Sequence, residues 1–405
     1  MEKRWLDELL ADTDRFFIDA IKAYVDGELM PLRGQLDDDK EHKLVREVLE
    51  GFVPIGFQKI IFPEEYGGMN IQSVVTMVTV GEDIARFDAG IALAISCTYW
   101  CWLPAIYAQS KAVLDRYAPR FCGDEVCLGA FNITEPASGC DIENPAMHGR
   151  TIKTFARRDG DEWVLNGTKC LASNSGVAAL YCVVCSTAPD SGDEGIALIY
   201  VPASAKGLSF GRFEDKAGLH TVRNCDVYFD NVRVPRQNRA AGPGRDAELL
   251  YANVANGRLA IAAGSVGMAQ GAFERVLEYT GNRVVGGKPV REHSIAANLL
   301  ADMAIGIETA RAYVLNAAYM YDHPQRYGEH HSAFMLSRAS IAHHYATDVA
   351  VMVTNRAMEL MGAYGYLREL GVEKYWRDCK MAQLAPGGSV VDQLDITRGY
   401  YEHDL

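Results

Sequence analysis

The sequence has no excess of basic residues. Its 405 residues include 40 Lys and Arg against 53 Asp and Glu, which gives a formal net charge of −13 at pH 7. A nucleic-acid-binding face needs clustered positive charge, so this balance argues against a nucleic-acid partner. It does not exclude a local basic pocket for a phosphate group.

Targeting and membrane signals are also lacking. No run approaches eighteen consecutive apolar residues, so no membrane span is expected. The first residues, Met-Glu-Lys-Arg-Trp-Leu-Asp-Glu, are acidic and amphipathic, unlike a signal peptide. These absences predict a cytoplasmic protein.

The cysteines do not form the pattern of a disulfide framework or a zinc site. Ten cysteines do not indicate a disulfide framework in a chain of this length without a secretion signal. Cys182 and Cys185 form a CxxC inside a strand-like run, where they should point to opposite faces. Without a second CxxC, no metal site is expected. The paired histidines are predicted to be exposed or core-edge helix residues: His330, His331, His343 and His344.

Hydrophobic periodicity divides the chain into three parts. Residues 1–122 have helical spacing, residues 123–240 form short β runs bounded by Gly, Pro, Asp and Asn, and residues 241–405 return to helical spacing. No internal repeat or low-complexity linker separates them. We predict an α+β fold with a barrel-like sheet between two helical bundles in one compact subunit.

Several individual elements follow from the same periodicity. Helices are predicted over residues 74–85, 89–102 and 258–279. Residues 162–167 are predicted to form a strand that leads into a turn at Asn-Gly.

Two segments of the β region carry the strongest functional signal. Residues 131–141 read Phe-Asn-Ile-Thr-Glu-Pro-Ala-Ser-Gly-Cys-Asp, and residues 166–174 read Asn-Gly-Thr-Lys-Cys-Leu-Ala-Ser-Asn. A strand that ends in a Thr-Glu-Pro turn presents backbone N–H groups and a hydroxyl at one point, which suits the pyrimidine edge of a flavin. Ser173, expected on a neighbouring strand, is placed to reach the flavin N5.

Both segments resemble, in order and spacing, the acyl-CoA dehydrogenase flavoprotein family. The resemblance covers essentially the whole chain through five further collinear segments: residues 63–68, 215–235, 283–289, 359–366 and 373–380. It implies an N-terminal helical domain, a central β-barrel-like domain and a C-terminal four-helix bundle. It also implies FAD, an acyl-CoA substrate, a homotetramer and an electron-transfer flavoprotein as a possible partner.

The resemblance assigns flavin contacts residue by residue. Ile133 and Thr134 should contact the pyrimidine edge, and Ser173 should hydrogen-bond N5. Cys140 stands where the family usually has Ser or Thr, and its thiol is a weaker donor. Leu171 replaces a frequent aromatic ring. Further residues of the implied cofactor set are Phe131, Gly139, Arg283, Glu359, Gly362, Ala363 and Gly388, of which Arg283, Glu359, Gly362 and Ala363 should reach the FAD of a neighbouring subunit.

The usual catalytic base is missing. In the family's chemistry a carboxylate removes the acyl α-proton while the β-hydrogen leaves as hydride. The resemblance places this carboxylate at Pro386 or, in some members, at Gly257, and neither residue ionises. Candidates for a relocated proton-transfer group are Tyr99, His220 and, more distant, Asp88.

Two interpretations of the reaction therefore stay open. In the first, a relocated group supports oxidation or reduction at the CH–CH group of an acyl-CoA. In the second, the fold supports a base-independent flavin-linked lyase or monooxygenase.

The resemblance also implies a set of substrate contacts. They are Cys140, Arg258, Tyr99, Trp100 and Gly387. Tyr99, Trp100 and Trp102 fall on the helix that corresponds to the family's acyl-pocket wall. Each of these aromatic residues either packs in the core or narrows the pocket. In the second case the pocket is short and flat and suits a compact, cyclic or aromatic acyl group.

Overall fold

Helices form the first part of the chain. The computed structural model describes residues 10–138 and 149–401. Its first six helices are α1 (Asp12–Tyr24), α2 (Arg33–Leu36), α3 (Lys43–Phe52), α4 (Val74–Phe87), α5 (Ala89–Tyr107) and α6 (Lys111–Phe121). The helical spacing of the sequence predicted this region correctly.

Helices α4 and α5, which lie next to the site, each start with a side-chain N-cap. The Ser73 hydroxyl accepts the backbone N–H of Thr76 at the start of α4, and the Asp88 carboxylate accepts that of Ile91 at the start of α5. Helix α5 runs past Pro104 to Tyr107, so the predicted end at residue 102 was too early.

Helix α5 is long and apolar enough to cross a membrane by length and composition alone. However, 72% of its most apolar window is buried inside the protein. This burial is typical of a core helix.

A seven-stranded sheet follows. Its strands are β1 (Gly129–Asn132), β2 (Phe155–Asp159), β3 (Glu162–Ser173), β4 (Leu180–Ser186), β5 (Ile196–Pro202), β6 (Leu208–Phe210) and β7 (Asn224–Pro235). The strand order is β1-β4-β2-β3-β7-β6, with β5 paired to β4. β1 lies parallel to β4, and β3 lies antiparallel to β7. This pairing brings the end of β3 beside the start of β7.

Strand β3 does not end at the predicted Asn-Gly turn. It continues to Ser173, with a register shift against β7 between Leu165 and Gly167. Gly167 has φ +148°, and a Cβ there would come within 2.6 Å of the Thr154 backbone. The glycine therefore marks a bulge within a strand rather than a turn.

The CxxC pair behaves as its strand setting predicts. Cys182 lies in the large hydrophobic cluster that joins the sheet to the helices, and Cys185 lies in the separate cluster inside the sheet domain. The two thiols therefore point to opposite faces of β4.

The C-terminal part is helical again. It contains α7 (Arg245–Asn282), α8 (Ser294–Tyr321), α9 (Pro324–Tyr327), α10 (Ala333–Met361), α11 (Val372–Ala382) and α12 (Gly388–Arg398), with a small hairpin of β8 (Val284–Val285) and β9 (Lys288–Pro289). Helix α7 contains the predicted helical run 258–279 and begins at Arg245, where the helical periodicity of the sequence returns. It packs against α4, α5, α8 and α10, so it forms the centre of the core.

Candidate functional site

The predicted flavin edge lies where β1 ends. Phe131, Ile133 and Thr134 are half-buried there. The Thr134 carbonyl accepts the backbone N–H of Cys170 at 3.0 Å, which joins this edge to β3. The structure thus brings together the two segments that the sequence singled out. Gly139 and Cys140, also predicted here, lie outside the described residues.

A buried ion pair between Lys169 and Glu135 is hydrogen-bonded to this edge. The Lys169 ammonium donates to the Ile133 carbonyl at 2.9 Å and to the Glu135 carboxylate at 2.8 Å. Glu135 also accepts two backbone N–H groups. Burial opposes its ionisation, but the Lys169 charge and these hydrogen bonds hold the pKa of Glu135 below its usual value. The sequence analysis did not identify Lys169, because its partner lies 34 residues away.

Ser173 lies at the end of β3 with a defined hydrogen-bond partner. The Asn224 amide nitrogen donates to the Ser173 hydroxyl oxygen at 3.0 Å and to the Leu171 carbonyl at 2.7 Å. Since Ser173 accepts from Asn224, its own hydroxyl proton points elsewhere. The Leu171 side chain is 60% exposed. A hydroxyl donor beside an exposed apolar side chain fits a flavin ring, with its acceptor nitrogen and apolar face.

The residues predicted to reach a neighbouring subunit's FAD share an exposed surface. Arg283 follows α7, and its guanidinium lies 5.9 Å from the ring centroid of Tyr364. Tyr364 belongs to the short helical segment Gly362–Tyr366, which includes Ala363. Glu359 is engaged with Arg356 at 2.6 Å. The structure groups these residues, and their contact with FAD stays a prediction.

A cavity of about 70 Å³ lies between α4, α5 and α7. Helix α5 contributes one face to it, with Ser96, Tyr99, Trp100 and Leu103, and extends that face to Tyr107. Tyr99 and Trp100 therefore line a cavity, and their contact with a substrate stays a prediction. The sequence analysis missed Tyr107 because it ended the helix too early, although residues 99, 103 and 107 have helical spacing.

Trp102 does not line the cavity as predicted. It is fully buried on another face of α5, with its ring 4.7 Å from that of Phe62 and 5.0 Å from that of Phe121. Positions 100 and 102 of a helix lie more than half a turn apart, so Trp102 points away from Trp100. The aromatic volume of Trp102 therefore belongs to the core.

Trp100 stands opposite Gly257. A Cβ on Gly257 would lie 3.5 Å from the indole ring, an ordinary van der Waals contact. A longer side chain at this position of α7 would compete with the indole for space. The second of the two usual base positions is thus a glycine facing an aromatic ring.

The first usual base position lies in the loop between α11 and α12. Pro386 follows a cis peptide bond, and Gly387 and Gly388 have φ +85° and +71°. Gly387 precedes the first residue of α12. The predicted contacts of Gly387 with substrate and of Gly388 with FAD stay predictions.

Asp88 and His220 are engaged away from the described cavity wall. Asp88 caps α5 and lies 2.8 Å from the Lys374 ammonium. Burial opposes its ionisation, yet the Lys374 charge and hydrogen bonds keep the pKa of Asp88 below its usual value. His220 lies 3.0 Å from Asp37, and this hydrogen bond raises the pKa of His220. The structure therefore disfavours both as relocated bases.

Tyr99 is the candidate that lines the cavity. Its hydroxyl donates to the Phe57 carbonyl at 2.5 Å. Burial raises the pKa of Tyr99, so the phenol keeps its proton at neutral pH. In this environment Tyr99 is a proton donor rather than a base.

The predicted substrate-side role of Arg258 needs correction. Its guanidinium is fully buried and lies 2.7 Å from Asp395 and 3.2 Å from Asp392, both on α12, and it donates to Ser340 on α10. Arg258 therefore anchors α12 to α7 and α10. Sequence reasoning could not find this role, since the carboxylates lie more than 130 residues along the chain.

His343 belongs to the same cluster and is not at the core edge as predicted. It is fully buried, and its Nδ1 lies 2.6 Å from the Asp392 carboxylate. Its Nε2 lies 3.1 Å and 2.9 Å from the carbonyls of Ala382 and Ala385. Carbonyl oxygens only accept, so Nε2 carries a proton. This cluster holds the loop that contains Pro386.

Comparisons with known proteins agree with this architecture. The N-terminal, middle and C-terminal domain models of acyl-CoA dehydrogenase match residues 11–125, 130–232 and 248–400. The chain is similar to the cyclohexane-1-carbonyl-CoA dehydrogenase of Syntrophus aciditrophicus, with 31% identity over 94% of each chain. It is also 31% identical to the cyclohex-1-ene-1-carbonyl-CoA dehydrogenase of Geobacter metallireducens, over 95% of this chain and 97% of that one.

A solved structure gives the same result. The butyryl-CoA dehydrogenase of Megasphaera elsdenii superimposes with a TM-score of 0.85 at 28% identity, over 97% of this chain and 99% of that one. The chain belongs to the acyl-CoA dehydrogenase family. It is an FAD-dependent oxidoreductase, as the sequence analysis expected.

Proposed function

We propose that this chain acts on the CH–CH group of a compact, cyclic acyl-CoA. The cavity carries the argument, because Tyr99 and Trp100 narrow it with aromatic rings. FAD, when bound, would take up the β-hydrogen as hydride. The relatives named for cyclohexane-1-carbonyl-CoA and cyclohex-1-ene-1-carbonyl-CoA support a ring-shaped acyl group.

The cofactor would be held by residues of two subunits. Thr134, Ile133 and Ser173 would contact the polar side of the flavin, and Leu171 would cover part of its ring. Arg283 and the exposed segment at Gly362 would reach the FAD of a neighbour, so cofactor binding would require at least a dimer. The homotetramer is proposed on family membership. An electron-transfer flavoprotein is proposed as the electron partner on family membership.

We propose Tyr99 as the relocated proton-transfer group. Its position on the cavity wall supports the choice, because Asp88 and His220 are not among the residues that line the cavity. The protonated phenol would give its proton to the α-carbon in enoyl-CoA reduction. By microscopic reversibility, the phenolate would take the same proton back in dehydrogenation. Tyr99→Phe should lower the rate of enoyl-CoA reduction about 10²–10⁴-fold, the usual worth of one acid–base group.

His220→Gln is the matched control for the proton-transfer group and should leave this rate unchanged. A Tyr99→Phe rate within threefold of wild type would mean that the proton comes from another group. That outcome would leave the assignment to the acyl-CoA dehydrogenase family unchanged.

Anaerobic mixing tests the proposed reaction. The purified holoenzyme is mixed with cyclohexane-1-carbonyl-CoA, butyryl-CoA or octanoyl-CoA, and flavin absorbance and products are followed together. Stoichiometric bleaching with an enoyl product, fastest for the ring, supports the proposal. Bleaching fastest with octanoyl-CoA would contradict the pocket argument. Product formed with the flavin still oxidised, or only after oxygen is admitted, would favour a lyase or monooxygenase.

A further inference from the structure

A chain of three polar side chains ends at Ser173. The Lys216 ammonium donates to the Asn224 amide oxygen and to the Val222 carbonyl, each at 2.6 Å. The Asn224 amide nitrogen then donates to the Ser173 oxygen at 3.0 Å. Asn224 is buried at the start of β7, and Lys216 is half-buried in the segment before it.

The orientation of the Asn224 amide follows from its partners. An ammonium can only donate, so it must face the amide oxygen. The Leu171 carbonyl can only accept, so it must face the amide nitrogen, and it does so at 2.7 Å. Burial lowers the pKa of Lys216 to about 8, which leaves it charged at neutral pH. The direction of donation therefore runs from Lys216 through Asn224 to Ser173.

Because donation runs from Lys216 through Asn224 to Ser173, the Ser173 hydroxyl proton has no strong acceptor. Ser173 uses its oxygen toward Asn224, so its hydroxyl proton points away from that residue. The neighbour on the other side is the buried Cys97 of α5, whose thiol is within hydrogen-bonding reach. Sulfur is a weak acceptor, so a ring nitrogen would be the better partner for this proton.

We propose that Lys216 and Asn224 are positioning residues that fix Ser173 as a hydrogen-bond donor to the flavin N5 and thereby lower the reduction potential of the bound FAD. The inference rests on the proposed contact of Ser173 with N5. N5 accepts a hydrogen bond in oxidised flavin and carries a hydrogen after two-electron reduction. A serine held as a donor thus favours the oxidised cofactor.

The midpoint potential of the bound FAD tests the inference without reference to turnover. The holoenzyme is titrated anaerobically with dithionite in the presence of a reference dye. Asn224→Ala releases Ser173 to rotate and accept from the reduced ring, so the potential should move to more positive values. A tenfold change in the preference for oxidised flavin corresponds to about 30 mV for a two-electron couple. Lys216→Met frees the amide to turn over but also removes a positive charge, so its shift is compared with that of the same substitution in a Ser173→Ala background.

A matched control is Asn166→Ala, because Asn166 lies on the same strand and donates to Asn231 on the exposed side. It should leave the potential unchanged. In a Ser173→Ala background, Asn224→Ala should have no further effect, since the donor that it orients is gone. The Ser173→Ala background keeps the test valid if the Asn224→Ala or Lys216→Met variant binds FAD less well.

The outcomes separate two hypotheses: that Ser173 contacts the flavin N5, and that Asn224 and Lys216 orient Ser173. Ser173→Ala with an unchanged potential would overturn the contact with N5 and the inference together. Ser173→Ala with a shifted potential, but Asn224→Ala and Lys216→Met without one, would overturn only the inference. Equal shifts for Asn224→Ala with and without Ser173 would also overturn it.

Discussion

One aromatic residue of the cavity wall lies opposite a glycine. Trp100 faces Gly257 and narrows the space between α5 and α7. Trp100→Leu should widen the cavity and shift the ratio of kcat/KM toward straight acyl chains about 10–100-fold, because each methylene accommodated is worth about 1–3 kcal/mol. Steady-state kinetics with ring and straight-chain acyl-CoAs measure this ratio. Trp376→Leu, at an exposed position, is the control, and an unchanged ranking for Trp100→Leu would contradict the pocket argument.

A half-buried histidine, His220, should make stability depend on pH. The hydrogen bond to Asp37 raises the pKa of His220 above its usual 6.5, so the folded state binds this proton more tightly than the unfolded chain. The stabilisation is full below about pH 6.5 and is lost as pH rises through the raised folded-state value. His220→Gln should lower Tm at about pH 5.5 and leave it unchanged above about pH 8.

His293→Gln is the control for that pH series, because its ring faces the Val285 carbonyl rather than a carboxylate. A constant Tm difference between His220→Gln and wild type across the series would exclude this titration as its source.

At the scale of elements, helix α7 offers two glycines with opposite surroundings. A Cβ on Gly257 would make an ordinary contact with Trp100, whereas a Cβ on Gly267 would overlap the Glu82 carbonyl oxygen of α4. Gly257→Ala should therefore stabilise the protein by about 0.5–1 kcal/mol through helix propensity. Gly267→Ala should destabilise it by about 1–3 kcal/mol through overpacking. Thermal unfolding checks both, and equal effects would contradict the described α4–α7 crossing.

The attachment of α12 gives a second prediction at this scale. Arg258→Met would leave Asp392 and Asp395 buried without their main cation, at a cost on the order of 3–5 kcal/mol. Arg356→Met removes an exposed pair with Glu359 and should cost no more than about 1 kcal/mol. Denaturant unfolding of both variants measures the difference. Similar losses would mean that the α12 cluster is not the anchor that its geometry indicates.

The parts of the site that sequence reasoning found are those with local signals. Tyr99 and Trp100 follow helical spacing on one face, and Ser173 follows Leu171 on one strand. Arg258, His343 and Lys216 were misassigned or missed, because the groups that define their roles lie on other elements. Gly167 was taken for a turn because a glycine has the same local preference in a turn and in a bulge.

At the scale of the whole molecule, the residues proposed to reach the FAD of a neighbouring subunit lie on an exposed surface. Arg283→Glu should weaken FAD binding at least tenfold and leave the subunit folded, because the guanidinium lies on the surface beside Tyr364. FAD titration and light scattering measure cofactor affinity and particle mass. Arg326→Glu is the matched control, since that arginine lies over Tyr327 in a similar way. Equal affinities in the two variants would argue against a shared FAD site between subunits.

Helix α5 is synthesised before α7, one of the elements that cover it. Its surface packs against α4, β1 and α7, and α7 begins about 140 residues after α5 ends. At translation rates of about 5–20 residues per second, α5 leaves the ribosome roughly 7–30 s before its cover is complete. During that interval the nascent chain exposes the helix that would otherwise suit a membrane. A chain released before residue 245 should therefore aggregate or be held by chaperones, whereas the full chain, once α7 is made, buries this surface within itself.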